Sequence, residues 1–214
     1  ALAAIDDLRS HRKPPHYWSA VQAAGEALTS TAISPRLLRK AARQGPDRWH
    51  QALARNPRCP PLVLDQIVAD STDHVAKLAA LGHRRCGRST LAAAGRAAAR
   101  KIDRGQATAG NEMAAAVAAN RNAPPRTLRR LARVRNAWVQ ARVAANTSTP
   151  RRALAPLAAD SDQRVREGVA RNPAAPAEML ERLAVDGAAA VRAAVAANPS
   201  CPPVGRAAAG LLAD

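Results

Sequence analysis

The middle of the chain carries a stripe of arginines that could bind phosphate. Arg126, Arg129, Arg130 and Arg133 follow one another at spacings of three, one and three residues, opposite the apolar side marked by Leu128. A guanidinium presents a planar fork of N–H donors that matches a phosphate group. The spacing therefore predicts four side chains that project to solvent from one helix surface and contact phosphates.

Histidines and cysteines give only a weak metal motif. His83 and Cys86 are three residues apart, and Cys59 lies earlier in the chain. Zinc sites use four ligands, mostly supplied by paired motifs, and a fourth ligand is missing here. We therefore expect no metal and no other cofactor.

Catalytic groups are equally sparse. A DNA glycosylase built on helical repeats needs an acid beside aromatic side chains that hold an extruded base. Trp138 and Glu112 are the nearest such pair, and a single aromatic makes a poor cradle for a base. No phosphate loop of the form G-x-x-x-x-G-K occurs. We expect no catalysis, with a glycosylase-like enzyme as a minor alternative.

An internal repeat carries these residues. Four stretches that begin VAAN, VAAN, VARN and VAAN align without gaps, and their asparagines are 26 residues apart. The same step through the first half places Ser30, Asn56 and Gly82 in the asparagine column, with a twelve-residue insertion after Gly82. Such self-similarity is the signature of stacked repeats. The predicted repeats begin near residues 30, 56, 82, 120, 146 and 172, with a terminal half repeat from 198.

Each repeat is predicted to form two short helices. A proline such as Pro125 starts the first helix, where its missing N–H needs no partner, and Leu128 and Leu131 follow at helical spacing. In the second helix apolar residues lie four apart, as in Val139 and Val143. The asparagine column is expected to close this helix in a left-handed conformation and not to read bases. Stacked helix pairs predict an all-α solenoid.

The repeat resembles a known family. Its phrase V-A-x-N-P-x-x-P-x-x-x-L-x-x-L-A stands most clearly as VARNPAAPAEMLERLA over residues 169–184 and is similar to the variant leucine-rich repeat. The resemblance, over residues 30–214, implies a right-handed superhelix of paired helical segments that acts as a binding surface, with one segment of each pair either a 3₁₀-helix or a full α-helix. Some relatives carry an N-terminal cysteine cluster for an iron–sulfur centre. Residues 1–58 hold no cysteine, so that cofactor is not expected.

Residues 1–29 fall outside the repeat period. They read as two helices separated by a pair of prolines, and we expect them to cap the first repeat with Tyr17 and Trp18 as the plug. The alternative is that these aromatic side chains contact a base or a peptide. The remaining chain, 30–214, is predicted to be one repeat array.

The insertion lies within residues 89–111. Its first part is predicted to lengthen a basic helix, and residues 105–111 are predicted to form a flexible loop. The basic residues of this helix are Arg96, Arg100, Lys101 and Arg104. Because insertions in one repeat often map to the binding face, we expect a role in binding, the alternative being a solvated helix with a tolerated loop.

Positive charge is concentrated around the insertion. The chain has 33 Lys and Arg against 16 Asp and Glu, a net charge of +17. Residues 83–135 hold 13 basic and 2 acidic side chains, whereas residues 153–214 hold 6 and 7. A genome-wide bias toward arginine would enrich every segment, so it does not explain this asymmetry. The asymmetry predicts a polyanionic partner, either nucleic acid or an acidic protein.

Other features argue against a membrane protein and a secreted disulfide scaffold. No run of about 18 apolar residues occurs, and charged residues interrupt the only apolar stretch near the N-terminus, so no signal peptide is expected. Three cysteines are too few and too scattered for a disulfide framework. We expect a cytoplasmic bacterial protein, associated with the nucleoid if DNA is its ligand.

The sequence thus predicts a non-catalytic scaffold that binds nucleic acid, DNA first, through its phosphates. Few aromatic residues are available to stack bases, so binding should be independent of sequence and sensitive to salt. A scaffold that docks an acidic protein is the alternative. Arg88 and Arg152 share the column of Arg126, which predicts a ladder through neighbouring repeats. The predicted binding residues are Arg84, Arg85, Arg88, Arg96, Arg100, Lys101, Arg104, Arg121, Arg126, Arg129, Arg130, Arg133 and Arg152.

Overall fold

The computed structural model describes residues 17–211, and this part of the chain is built from α-helices without a strand. The helices are α1 (Tyr17–Ala27), α2 (Pro35–Gln44), α3 (Trp49–Arg55), α4 (Pro61–Asp70), α5 (His74–Gly82), α6 (Arg88–Asp103), α7 (Ala107–Ala119), α8 (Pro125–Leu131), α9 (Ala137–Ala145), α10 (Arg151–Leu157), α11 (Gln163–Ala170), α12 (Ala177–Ala184), α13 (Ala189–Ala196) and α14 (Pro203–Leu211). After α1 they form successive pairs, from α2/α3 to α12/α13. The predicted all-α repeat solenoid is confirmed.

Both members of each described pair are α-helices. Pro61 and Pro125 occupy the first turns of α4 and α8, where the fixed φ of proline suits a helix and no N–H is lost. The 3₁₀ alternative that the resemblance leaves open is not found, because every helix within residues 17–211 is of the α type. None of these helices is long and apolar enough to cross a membrane.

A narrow core of leucine, valine and alanine runs between the paired helices. One leucine from the first helix is fully buried in each of six repeats: Leu38, Leu64, Leu91, Leu128, Leu154 and Leu180. Small residues let neighbouring helices approach closely, as at Gly168 of α11, where a Cβ atom would lie 2.7 Å from the carbonyl oxygen of Ala141 in α9. This close packing explains how a chain poor in large apolar residues builds a core within each repeat.

The chain divides into two compact units, Ala1–Thr90 and Leu91–Asp214. In the first unit, α1 packs against α3. Ala24 of α1 and Leu28, which directly follows the helix, are buried. Most of the predicted N-terminal cap lies outside the described residues, as do the side chains of Tyr17 and Trp18. The predicted plug therefore stays a prediction.

The asparagine column joins the backbones of successive repeats. Nδ2 of Asn146 donates to the carbonyl oxygens of Ala118 and Asn120 at 2.6 and 2.9 Å, and its Oδ1 accepts the N–H of Ser148 at 2.8 Å. The same three bonds are made by Asn56, Asn172 and Asn198. The carbonyl groups at the end of a helix have no partner within that helix. Each asparagine thus donates hydrogen bonds to such carbonyl groups in the preceding repeat.

The expected left-handed conformation of these asparagines is wrong. Asn146 has an extended backbone, with φ −77° and ψ 123°, and no non-glycine residue in the described part of the chain has a positive φ. The asparagines stabilise the repeat array through the hydrogen bonds of their side chains and not through a left-handed backbone conformation.

His83 takes the place of the asparagine in the third repeat. Its Nε2 donates to the carbonyl oxygen of Asn56 at 3.0 Å, and its Nδ1 accepts the N–H of Arg85 at 3.0 Å. Both bonds form together only when the ring is neutral and carries its proton on Nε2, and burial of the ring lowers its pKa. Since His83 also caps α5, the assignment of Gly82 to this column is wrong by one residue.

The insertion lengthens both helices of the third repeat. The first, α6, has 16 residues and the second, α7, has 13. The chain reverses between them at Gly105, whose φ of 81° is a left-handed conformation that favours glycine. The N–H of Gln106 donates to the carbonyl of Lys101 at 2.9 Å and closes α6.

The predicted loop over residues 105–111 is therefore wrong from Ala107 onward, where α7 begins. Tertiary packing explains the helix. Gly110 lies so close to Ile102 of α6 that a Cβ atom would be 2.6 Å from its Cγ1. The two lengthened helices hold each other in place at this point.

Candidate functional site

Three of the predicted arginines meet at one cavity in the second unit. Arg100 projects from the last turn of α6, Arg130 from the end of α8, and Arg133 from the turn that follows α8. With Arg135 they line a cavity of about 470 Å³. These four residues are called the arginine cluster below.

The insertion and a glycine contact build this cavity. The extra turns of α6 carry Arg100 together with Ala99, Ile102 and Asp103, which line the same wall. Gly95, one turn earlier, has no Cβ and accommodates Thr127 of α8, whose methyl group would clash with a larger residue. The two helices that carry the cluster are therefore in direct contact.

The arginine cluster has no carboxylate paired with it in the described part of the chain. Asp103 lines the cavity without forming an ion pair with any of the four guanidinium groups. All four side chains are exposed to solvent. Neighbouring positive charges repel one another, and an anion bound among them would relieve that repulsion.

Arginines in the later repeats are arranged differently. Ion pairs join Arg151 to Glu178, Arg164 to Asp162, Arg166 to Asp186 and Arg171 to Glu167. The two hydrogen bonds that Arg166 donates to Asp186 lower the pKa of that carboxyl group. The chain thus has internal partners for arginine in these repeats and leaves the cluster open to an external one.

The predicted four-arginine stripe is divided by the end of α8. Arg126, Arg129 and Arg130 are exposed on α8, but the helix stops at Leu131 and Arg133 lies in the following turn. The expectation that all four project from one helix is therefore wrong for Arg133. The turn instead directs Arg133 to the same cavity as Arg100.

The remaining predicted residues of the insertion follow α6. Arg96 is exposed one turn before Arg100, and Arg104 is exposed just beyond the end of the helix. Lys101 is half-buried and does not line the cavity. Arg96 and Arg104 extend the exposed positive charge along α6 and beyond its end.

Two predicted residues of the second unit lie at other cavities. Arg121 lines one of about 390 Å³ together with Arg142 and Arg171. Arg152 lines one of about 340 Å³ whose wall includes Glu178. The structure does not bring either residue to the arginine cluster.

Arg84, Arg85 and Arg88 belong to the first unit. Nη1 of Arg85 donates to the carbonyl oxygen of Arg58 at 3.0 Å, so this side chain has a structural role. Arg88 is the first residue of α6 and corresponds to Pro125, the first residue of α8. The predicted ladder is therefore wrong at Arg88, because the shift at His83 moves it out of the column of Arg126 and Arg152.

Sequence reasoning missed Arg135 and Arg142 as site residues. Neither has a basic counterpart one period away, so a search along repeat columns does not find them. Arg135 had a usable signal, since it continues the local run of basic residues into the turn after α8. Arg142 had one in its spacing of four residues from Trp138.

The residues of the weak metal motif, Cys59, His83 and Cys86, are each explained by burial or by hydrogen bonds to the backbone. Burial raises the pKa of the Cys59 thiol to about 12 and that of Cys86 to about 11, which favours the protonated form. Both ring nitrogens of His83 are bonded to backbone groups. Within residues 17–211, no three His, Cys, Asp or Glu side chains gather as a set of metal ligands.

The repeat geometry agrees with a comparison to known families. Residues 164–187, which include all but the first residue of α11, the Asn172 junction and α12, match the family model described as leucine rich repeat variant. The resemblance to this family is confirmed at that segment. No curated protein and no solved structure matches the chain.

Proposed function

We propose that this protein is a non-catalytic helical-repeat scaffold that binds nucleic acid, DNA first, through its phosphates. The observation that carries the proposal is the arginine cluster. Its four arginines line one cavity, and their guanidinium groups have no carboxylate partner among the described residues. The match to the leucine rich repeat variant family supports the role of a binding scaffold. The arginine cluster supports a polyanionic ligand.

The chemistry of the cluster favours phosphate contacts without base recognition. Arginine forks bind phosphate oxygens with two parallel hydrogen bonds. Reading bases in a groove requires a helix or ribbon that presents side chains to base edges, whereas these arginines lie around a helix end and its turn. We therefore expect affinity for duplex DNA that depends little on sequence and falls steeply with salt.

A cluster variant tests the proposal. Arg100→Gln, Arg130→Gln and Arg133→Gln together remove three charges from exposed positions, so the helical fold should survive. Fluorescence anisotropy with labelled duplex DNA at physiological salt should then show a loss of affinity of at least about tenfold, since each phosphate contact contributes to binding.

The later repeats supply a matched control variant, in which Arg151, Arg164 and Arg182 are replaced by Gln. It changes the net charge by the same amount at exposed positions. Arg151 and Arg164 are in solvent-exposed ion pairs, which contribute little to stability, so the fold should survive their loss. We expect this variant to bind DNA almost as tightly as the parent protein.

Two results would count against the proposal. Equal losses in the cluster and control variants would mean that binding follows total charge without a localised site. Failure of the parent protein to bind any nucleic acid, combined with retention on an immobilised acidic polypeptide, would favour an acidic protein as the partner.

A further inference from the structure

Trp138 is exposed on α9 in a way that the repeat does not require. Its side chain is 45% exposed, whereas Trp49 in the first unit is 1% exposed and belongs to the core. The positions one period before and after Trp138 hold Glu112 and Arg164, so the fold accepts polar residues there. A large aromatic side chain at this position therefore needs an explanation other than packing.

Arg142 lies one helical turn after Trp138 and contacts its ring. The guanidinium carbon is 5.6 Å from the ring centroid, within the range of a cation–π interaction. The corresponding residues of neighbouring repeats are Ala116 and Gly168, so the repeat does not require an arginine here either. Both members of the pair are particular to this one helix.

Arg142 also lines a cavity with two other arginines. With Arg121 and Arg171 it lines a cavity of about 390 Å³, whose wall is otherwise formed largely by small residues such as Ala119 and Ala145. Arg171 is paired with Glu167 at 2.5 Å. Arg121 and Arg142 have no carboxylate partner among the described residues, so they remain available for an anion.

We propose that this α9 surface, formed by Trp138, Arg142 and Arg121, binds one nucleotide of a single-stranded nucleic acid. The base stacks on the exposed part of the Trp138 ring, and the adjacent phosphate lies between Arg121 and Arg142. Stacking on an aromatic side chain beside positive charge is the usual way in which proteins hold unpaired bases. The inference rests on the proposed function, since it assumes a nucleic-acid ligand, but it uses different residues from the arginine cluster.

Intrinsic tryptophan fluorescence tests this site directly. Titration with oligo(dT) should quench the emission, and an abasic oligonucleotide of equal length should quench it far less because it has phosphates but no bases. Trp138→Ala should abolish the base-dependent quenching and weaken oligo(dT) binding by about 5- to 150-fold, measured by anisotropy. Trp138→Phe keeps an aromatic ring and should retain most of the affinity.

Arg142→Gln gives a second test that leaves the tryptophan in place. It removes a cation from an exposed position, so folding should be unaffected, and it should weaken binding of oligo(dT) more than binding of duplex DNA. The cluster variant should show the reverse preference, since its substitutions lie at the other cavity. Circular dichroism on each variant establishes that the helices are retained.

The outcomes separate this inference from the proposed function. If duplex binding depends on the arginine cluster but oligo(dT) and the abasic strand behave alike, the α9 site is wrong and the proposed function stands. If base-dependent quenching occurs while the cluster variant binds duplex DNA normally, the cluster is wrong and the α9 site stands. If an acidic peptide quenches Trp138 and oligo(dT) does not, the surface binds protein and the inference is overturned.

Discussion

Replacing Asn146 with alanine tests the junction between repeats. Asn146 is 5% exposed and makes three hydrogen bonds, two to carbonyl groups of the preceding repeat and one to the N–H of Ser148. A net contribution of about 0.5–1.5 kcal/mol for each of the three bonds predicts a loss of about 1.5–4.5 kcal/mol in the free energy of unfolding. Urea denaturation followed by circular dichroism measures this loss, which should appear as a lower midpoint with little change in slope.

A neighbouring residue provides the control. Thr147→Ala alters an exposed side chain next to Asn146 and should change stability by less than about 0.5 kcal/mol. Asn146→Asp should be worse than Asn146→Ala at neutral pH, because a carboxylate would face two carbonyl oxygens. A loss below about 1 kcal/mol for Asn146→Ala, similar to that of the control, would refute the view that this side chain joins the repeats.

Further predictions concern the core and pH. Leu128→Ala and Leu180→Ala should each lower the stability by about 2–5 kcal/mol in the same assay, because both side chains are fully buried; losses under about 1 kcal/mol at both would contradict the assigned helix faces. Gly168→Ala should shift the unfolding midpoint down, since its Cβ would press on the backbone of α9; an unchanged midpoint would show that α9 and α11 can separate without cost. His83 should make stability depend on pH: burial holds its folded pKa below the unfolded value of about 6.5, so its contribution is complete above that value and is lost as the pH falls toward the folded pKa. His83→Asn should remove this pH-dependent component, and an unchanged profile would mean that the ring is not required to be neutral.

The repeat and its helix faces could be predicted because they follow from local chemistry. The leucine column, exemplified by Leu128 and Leu180, lies at helical spacing and is buried as expected. Proline at the first helical position marked the start of α8 correctly. These signals recur in most repeats, so an ambiguous helix boundary or face in one repeat can be assigned from the others.

The third repeat could not be predicted in detail because its signals do not recur. His83 stands in the position of the asparagine, although its side chain is longer and chemically different. Only its hydrogen bonds to Asn56 and Arg85 reveal the correct register of this repeat. The segment after Gly105 looks like a loop by composition, yet contact with α6 makes it helical. Both differences arise from tertiary contacts.

The candidate site was predicted by composition more than by geometry. Charge points to Arg100, charge and helical spacing point to Arg130 and Arg133, and the structure adds that all three share one cavity with Arg135. Arg121 was assigned to the same surface because it lies in the same basic segment, but it lines a different cavity with Arg142. Which arginines act together depends on how α6 and α8 pack, and the periodicity of the sequence does not contain that information.

The salt dependence of duplex DNA binding tests the central claim most directly. If each of Arg100, Arg130 and Arg133 contacts one phosphate, the cluster variant should lower the log–log slope of the dissociation constant against salt by about 2.7, from about 0.9 per contact. The control variant should lower it by less than about 1. Equal slopes for the parent protein and the cluster variant would contradict phosphate binding at the arginine cluster.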